Sequence, residues 1–242
     1  LAYLADLKFD APAVKRLRAL PVFKGISGKF FDWLSHFSFT GDVHAMPEGT
    51  VFFPGEPVLR VTAPLPEAQI VETWLLSALT YSTLVATKAA RIVDAAGGRG
   101  VVDFGSRRAH GPQAGLWAAR SAFIGGCIGT SNVLAADRLK IPPFGTMAHA
   151  YVMAHNSEED AFVSFGRLFP DHAIQLIDTY DTLEGARRAA RAGANLVGVR
   201  LDSGKILDLS REVRAVSLLR SSFCASCRFR FRISRSMPEP KP

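Results

Sequence analysis

The spacing of apolar positions changes twice along this chain. Residues 38–66 mix glycine and proline with brief apolar pieces, VFF and PVLRV, a pattern that predicts small strands joined by tight turns. From Pro66 to about Ala96 the apolar residues recur at helical spacing with no interior glycine or proline. This predicts one long, well-buried helix, or two broken near Tyr81, ended at Gly97–Gly98, with Leu75, Leu76, Leu79 and Leu84 in the core.

After Gly100 the pattern alternates between short strands and helices. VVDFG precedes PQAGLWAARSAFIGG, whose Pro112 suits a first helical turn. IPPFGTMAH precedes SEEDAFVSFGRLF, where Ser157 and Asp160 resemble a capping box. AIQLIDTYD precedes TLEGARRAARAG, closed by Gly193, and NLVGVRLDSG precedes KILDLSREVRAV. Four successive βα units predict a parallel sheet.

Each predicted strand ends in polar residues: Asp103 with Arg107 and Arg108, Thr146 with His149, Asp178 with Asp181, and Arg200 with Asp202. A parallel barrel brings all such ends to one face, whereas a doubly wound sheet gathers them only at its switch point. The pattern therefore favours an α/β barrel. Four units are about half of the eight that close one, so a partial, irregular barrel with an open edge is expected, and a truncated chain. The expected organisation is an N-terminal α+β region with the long helix over 1–98, the first βα units of the barrel over 99–217, and a basic irregular tail over 218–242.

Composition narrows the function classes. With 242 residues and 48% hydrophobic content the chain can bury one large or two small domains. No apolar run is expected to reach the roughly 18 residues of a membrane span, and LAYLADLKFD lacks the plan of a signal peptide, so a cytoplasmic protein without a membrane role is expected. Three cysteines are too few to staple the chain, and Cys224-x-x-Cys227 has no second ligand pair to make zinc attractive. The net charge of +7 is concentrated in the tail: residues 215–242 hold six basic residues against Glu239, which leaves the body at +2. A near-neutral body argues against a nucleic-acid surface.

The polar face can be read chemically. Arginines from two strands present planar forks that match phosphate and carboxylate, so the ligand should be a polyanion. The carboxylates Asp178, Asp181 and Asp202 would repel it unless they face magnesium or a developing positive charge. Magnesium pyrophosphate and a ribosyl cation would meet both needs. His149, between the small Ala148 and Ala150, has room to act as nucleophile or proton shuttle. Other readings stand beside these. The arginines of DFGSRRA could merely pair with Asp178 or Glu184, and IGGCIGTSN could be a phosphate cradle or a glycine-rich helix exit. His110 and His155 carry no such pattern.

The stretches ATKAARI (86–92), DFGSRRAHG (103–111), IGGCIGTSN (124–132), GTMAH (145–149), IDTYDT (177–182) and GVRLDSG (198–204) together resemble the nicotinate phosphoribosyltransferase family, in the right order from about Phe39 to Arg214. The resemblance implies the union of nicotinate with 5-phosphoribosyl 1-diphosphate, giving nicotinate mononucleotide and pyrophosphate in NAD salvage, with ATP as co-substrate and Mg²⁺ as cofactor. It implies that His149 becomes a phosphohistidine, that Thr146 and Arg200 contact nicotinate and its carboxylate, and that Asp202 faces the ribose or its magnesium. It places Arg107 and Arg108 at phosphates and Asp178 beside the substrate. It also implies a homodimer when the protein is complete.

Two departures from the family pattern accompany it. The tyrosine-bearing T-D-x-Y segment expected near the N-terminus and the G-V-G-T loop expected in later strands are not found. The arginine, serine and cysteine-rich tail is what a shifted reading frame would yield. The competing readings are a quinolinate phosphoribosyltransferase-like enzyme, which would need neither ATP nor a phosphohistidine, and an inactive truncated product.

Overall fold

A computed structural model describes residues 2–193, 196–218 and 232–233. In chain order its elements are α1 (Ala2–Asp6), α2 (Ala11–Arg18), α3 (Gly28–Ser35), β1 (Asp42–Ala45), β2 (Leu59–Thr62), α4 (Leu65–Ala95), β3 (Val102–Asp103), α5 (Pro112–Ile124), β4 (Gly129–Thr130), α6 (Val133–Leu139), α7 (His149–Met153), α8 (Glu158–Leu168), β5 (Ile174–Leu176), α9 (Thr182–Arg191), β6 (Gly198–Leu201), α10 (Ile206–Leu218) and β7 (Arg232–Ile233). They fall into two compact units, Leu1–Phe144 and Gly145–Pro242. The class is α/β, as expected.

In the first unit β1 and β2 form an antiparallel hairpin-like pair, and β3 and β4 pair in parallel. The long helix is unbroken: α4 runs 31 residues through Tyr81, whose hydroxyl donates to the Ala114 carbonyl of α5 at 3.1 Å. Its start is tied down by Glu67, which accepts from the Thr40 N–H at 2.7 Å and places a negative charge in the first turn, where the helix dipole favours it. Its exit runs through Gly97 and Gly98, both at positive φ. Burial along α4 differs from expectation. Val71 and Ala89 are buried, but Leu75 and Leu79 are only partly covered, and Leu76 and Leu84 are exposed. The helix packs along α5 on one side, and apolar periodicity cannot tell how many sides will be covered. By length and composition α4 could cross a membrane, a property that counting uninterrupted runs misses because Thr73, Ser77 and Thr80 punctuate it.

The expected second strand, in IPPFGTMAH, is absent. Thr130 and Pro143 form only an isolated parallel bridge, because Pro142 and Pro143 have no N–H with which to extend a ladder. His149 consequently opens α7 and does not sit on a strand. The IGGCIGTSN stretch is a helix exit in its first half: Gly125 closes α5 and Gly126 has φ +96.

In the second unit β5, β6 and β7 form a parallel sheet in that order. Leu176, Val199 and Leu201 from the strands and Ile177 just after β5 pack with Phe162 of α8 and Ala189 of α9 in one buried cluster. Ser157 caps α8 by accepting from the Asp160 N–H at 3.1 Å, and its hydroxyl returns a bond to the Asp160 carboxylate at 2.7 Å, so the box closes through the side chain. Gly185 lets α9 lie against β5, since a Cβ there would fall on the Ile177 carbonyl oxygen. Two residues of the expected irregular tail, Arg232 and Ile233, add β7 to the open side of β6. The rest of that tail, with Cys224 and Cys227, lies outside the described residues.

Candidate functional site

The parallel pairing of β5 with β6 sets Leu176 opposite Arg200, so the chain leaves both strands at the same level. Asp178 follows β5 and Asp202 follows β6, and they meet there. One oxygen of Asp178, Oδ2, accepts from the backbone N–H groups of Asp202 and Ser203, both at 2.7 Å, and from the Ser203 hydroxyl at 2.8 Å. The other, Oδ1, is buried without a hydrogen-bond partner. The Asp178 side chain is 2% exposed.

His149 reaches this corner from the start of α7. Its Nε2 lies 3.5 Å from Asp202 Oδ2 and 4.0 Å from Asp178 Oδ1, while Nδ1 is 3.1 Å from the Thr179 hydroxyl. The ring is 38% exposed. Arg200 completes the corner. Its guanidinium donates to Thr146 Oγ1 at 2.7 Å, to the Met147 carbonyl at 3.3 Å and to Asp202 Oδ1 at 2.6 Å. Asp202 thus has one oxygen toward a cation and one toward a histidine.

Five of the seven site residues expected from sequence, Thr146, His149, Asp178, Arg200 and Asp202, therefore gather around one corner of the second unit. Asp181 does not join them. It caps α9, accepting from the Glu184 N–H at 2.7 Å, because a carboxylate just before a helix finds the free N–H groups of its first turn. Arg107 and Arg108 lie in the first unit, in a short 3₁₀ turn after β3, exposed and, among the described residues, without ion pairs. Within the second unit Glu184 engages Arg187, Arg188 and Arg191. The turn itself is held by Asp103, which accepts from the Gly105 N–H at 2.8 Å and from the Thr130 hydroxyl at 2.8 Å.

Sequence reasoning passed over Thr179 and Ser203. Both sit beside residues it singled out, but beyond a strand's last paired residue the two-residue alternation no longer dictates direction, so their roles were not legible. It also passed over Glu158, whose side chain is 1% exposed and whose Oε1 has no hydrogen-bond partner. Burial raises its pKa above the usual carboxylate range, against the pull of Arg188 at 3.5 Å. Burial, with Asp103 nearby, pushes the Cys127 thiol up to about 11.

Magnesium finds no dedicated cage. Among the described residues no group of three or more His, Cys, Asp and Glu side chains is arranged to hold a metal, and Asp178 Oδ2 and Asp202 Oδ1 are already committed.

The chain matches two family models: the nicotinate phosphoribosyltransferase N-terminal domain over residues 1–80, and the nicotinate phosphoribosyltransferase family over residues 100–220. It is 48% identical over 219 residues to nicotinate phosphoribosyltransferase pncB2 of Mycobacterium tuberculosis, covering 88% of this chain and 46% of that protein. It is 46% identical over 178 residues to the nicotinate phosphoribosyltransferase of Bacillus subtilis, covering 71% and 36%. The chain thus spans about half the length, or less, of these relatives. Among solved structures, human nicotinic acid phosphoribosyltransferase superposes with a TM-score of 0.77 at 30% identity, over 90% of this chain and 55% of that one. Nicotinate-nucleotide pyrophosphorylase from Pyrococcus furiosus superposes with a TM-score of 0.71 at 36% identity, over 76% and 49%. With both of its matched regions in one family and a matching fold beneath them, the chain belongs to the nicotinate phosphoribosyltransferase family.

Proposed function

We propose that this chain carries the phosphohistidine corner of a nicotinate phosphoribosyltransferase, which joins nicotinate to 5-phosphoribosyl 1-diphosphate and couples the reaction to ATP hydrolysis. The observation that carries the reading is His149, partly exposed and held with Nε2 toward two carboxylates. In the first step a ring nitrogen bonds to the γ-phosphorus of ATP, the phosphorus–oxygen bond to ADP breaks, and the ring proton passes to Asp202 or Asp178. Water later returns the phosphoryl group as inorganic phosphate. In the transfer step the anomeric carbon's bond to pyrophosphate breaks while the pyridine nitrogen of nicotinate supplies the electron pair for the new bond.

Ribosyl-cation character at the anomeric carbon favours nearby carboxylates, and the half-buried Arg200 offers its fork to the nicotinate carboxylate, with Thr146 alongside. Arg107 and Arg108 are proposed to take phosphate charge, on the strength of their exposure and of having no ion pair among the described residues. Magnesium suits this chain only as a companion of the diphosphate, held chiefly by phosphate oxygens. A homodimeric assembly is part of the same proposal. The quinolinate-type alternative is not favoured, since the curated relatives carry the nicotinate phosphoribosyltransferase name.

The test is incubation of the chain with γ-labelled ATP, nicotinate and 5-phosphoribosyl 1-diphosphate. Acid-labile label on His149, lost in His149→Ala, together with nicotinate mononucleotide formation, is expected. Product formation that keeps its ATP dependence in His149→Ala would overturn the assignment, and neither label nor product would overturn activity for this chain.

A further inference from the structure

We infer that Thr179 is a positioning residue that sets the tautomer of His149: its hydroxyl donates to Nδ1 and keeps the ring proton on Nε2. This rests on the reading of His149 as the phosphoryl acceptor, but the geometry behind it is independent of the reaction. Asp178 and Thr179 are consecutive residues, and they face opposite nitrogens of one ring.

The argument begins at Nε2. Its neighbours are Asp202 Oδ2 at 3.5 Å and Asp178 Oδ1 at 4.0 Å, and an ionised carboxylate oxygen can only accept. A bare lone pair on Nε2 would face two acceptors, one of them buried with no other partner. Asp178 cannot turn that oxygen away, because its other oxygen is held by three donors. The carboxylates therefore favour the hydrogen on Nε2, an arrangement that holds only if Nδ1 also finds a donor. A neutral imidazole has only one N–H, so Nδ1 is left with a lone pair that needs a donor. The group within reach is the Thr179 hydroxyl at 3.1 Å, on a β-branched side chain with few rotamers to choose from. For phosphoryl transfer, this leaves the lone pair that bonds to phosphorus on Nδ1 and stations the Nε2 proton beside the carboxylates that take it as the bond forms.

The test reads the ring nitrogens directly. The chain, with its six histidines labelled with ¹⁵N, is examined by long-range ¹H–¹⁵N correlation at about pH 8, where an ordinary imidazole is neutral. His149→Gln assigns the His149 signals by their loss. The expected wild-type pattern is a protonated, pyrrole-like Nε2 and a pyridine-like Nδ1. Thr179→Ser keeps it, and Thr179→Val moves both nitrogens toward the average of two tautomers. A pyrrole-like Nδ1 in the wild-type chain overturns the inference, as does a Thr179→Val spectrum that matches wild type. If Thr179→Val fails to fold, the wild-type and Thr179→Ser spectra decide: a shared pyridine-like Nδ1 supports the inference and its absence in either overturns it. An Nε2–H ring that ATP never phosphorylates would sink the functional reading and leave this one standing, and a phosphorylated His149 whose free ring is Nδ1–H would do the reverse.

Discussion

Replacing Asp178 by alanine should destabilise the second unit more than replacing the histidine that the aspartate serves. Three hydrogen bonds end on Asp178 Oδ2. Bonds to a charged partner contribute about 1.5–3 kcal/mol each, a gross loss of about 4.5–9 kcal/mol. Two effects reduce it. Ser203 is exposed, so its N–H and hydroxyl regain water, and the variant no longer carries the buried, unpartnered Oδ1, worth about 1–3 kcal/mol. With water restoring about half of the two Ser203 bonds, about 1.5–3 kcal/mol, the net loss is about 2–3 kcal/mol. His149→Ala removes one hydrogen bond, the contact with Thr179, and should cost about 0.5–1.5 kcal/mol. Asp178→Asn, which keeps an acceptor for the three donors, should fall between them. Urea unfolding of the three variants at neutral pH, followed by circular dichroism with the slope checked for constancy, measures the differences. A loss for Asp178→Ala no larger than that for His149→Ala would refute the claim that this carboxylate pins the exit of β6.

Gly185→Ala places a methyl group on the Ile177 carbonyl oxygen, so it should lower stability by about 1–3 kcal/mol, read as a drop in the urea midpoint; an unchanged midpoint would show that α9 shifts freely. Burial raises the Glu158 pKa, so the folded chain binds a proton that the unfolded chain releases: the associated stability is full below the ordinary value of 4.5 and is lost as pH rises through the raised one. Glu158→Gln should therefore lift the thermal midpoint at pH about 8 but not at pH about 4, and equal shifts at both would contradict the buried charge as the cause. Cys127, buried with its thiol at about 11, should resist iodoacetamide at neutral pH until urea unfolds the chain; peptide mapping that finds it modified in the folded chain would contradict this.

Periodicity and punctuation made much of this legible. The glycine pair after α4, Pro112 at the head of α5 and the Ser157 cap are local signals that the fold obeys. The polar residues after β5 and β6 were readable as a convergent face because parallel pairing makes strand ends coincide. What stayed hidden depends on contacts across the chain. Paired prolines turned an expected strand into a single bridge, which moved His149 to a helix start. Asp181 looks like Asp178 in sequence, yet three residues further on it meets the free N–H groups of a helix. The exposure of Leu76 and Leu84 follows from what lies beside α4, which no count of apolar residues reports.

The pairing register of β5 and β6 also acts as a check on errors. Leu176 stands opposite Arg200, and side chains along a strand alternate between faces. A slip of one residue would turn Arg200 into the apolar layer and Leu201 out of it, and would draw the Ser203 and Asp202 N–H groups away from Asp178. A misaligned sheet is thereby penalised in its core and in its polar corner together. Any chain that has folded stably in this region has, by the same act, assembled the histidine's surroundings correctly.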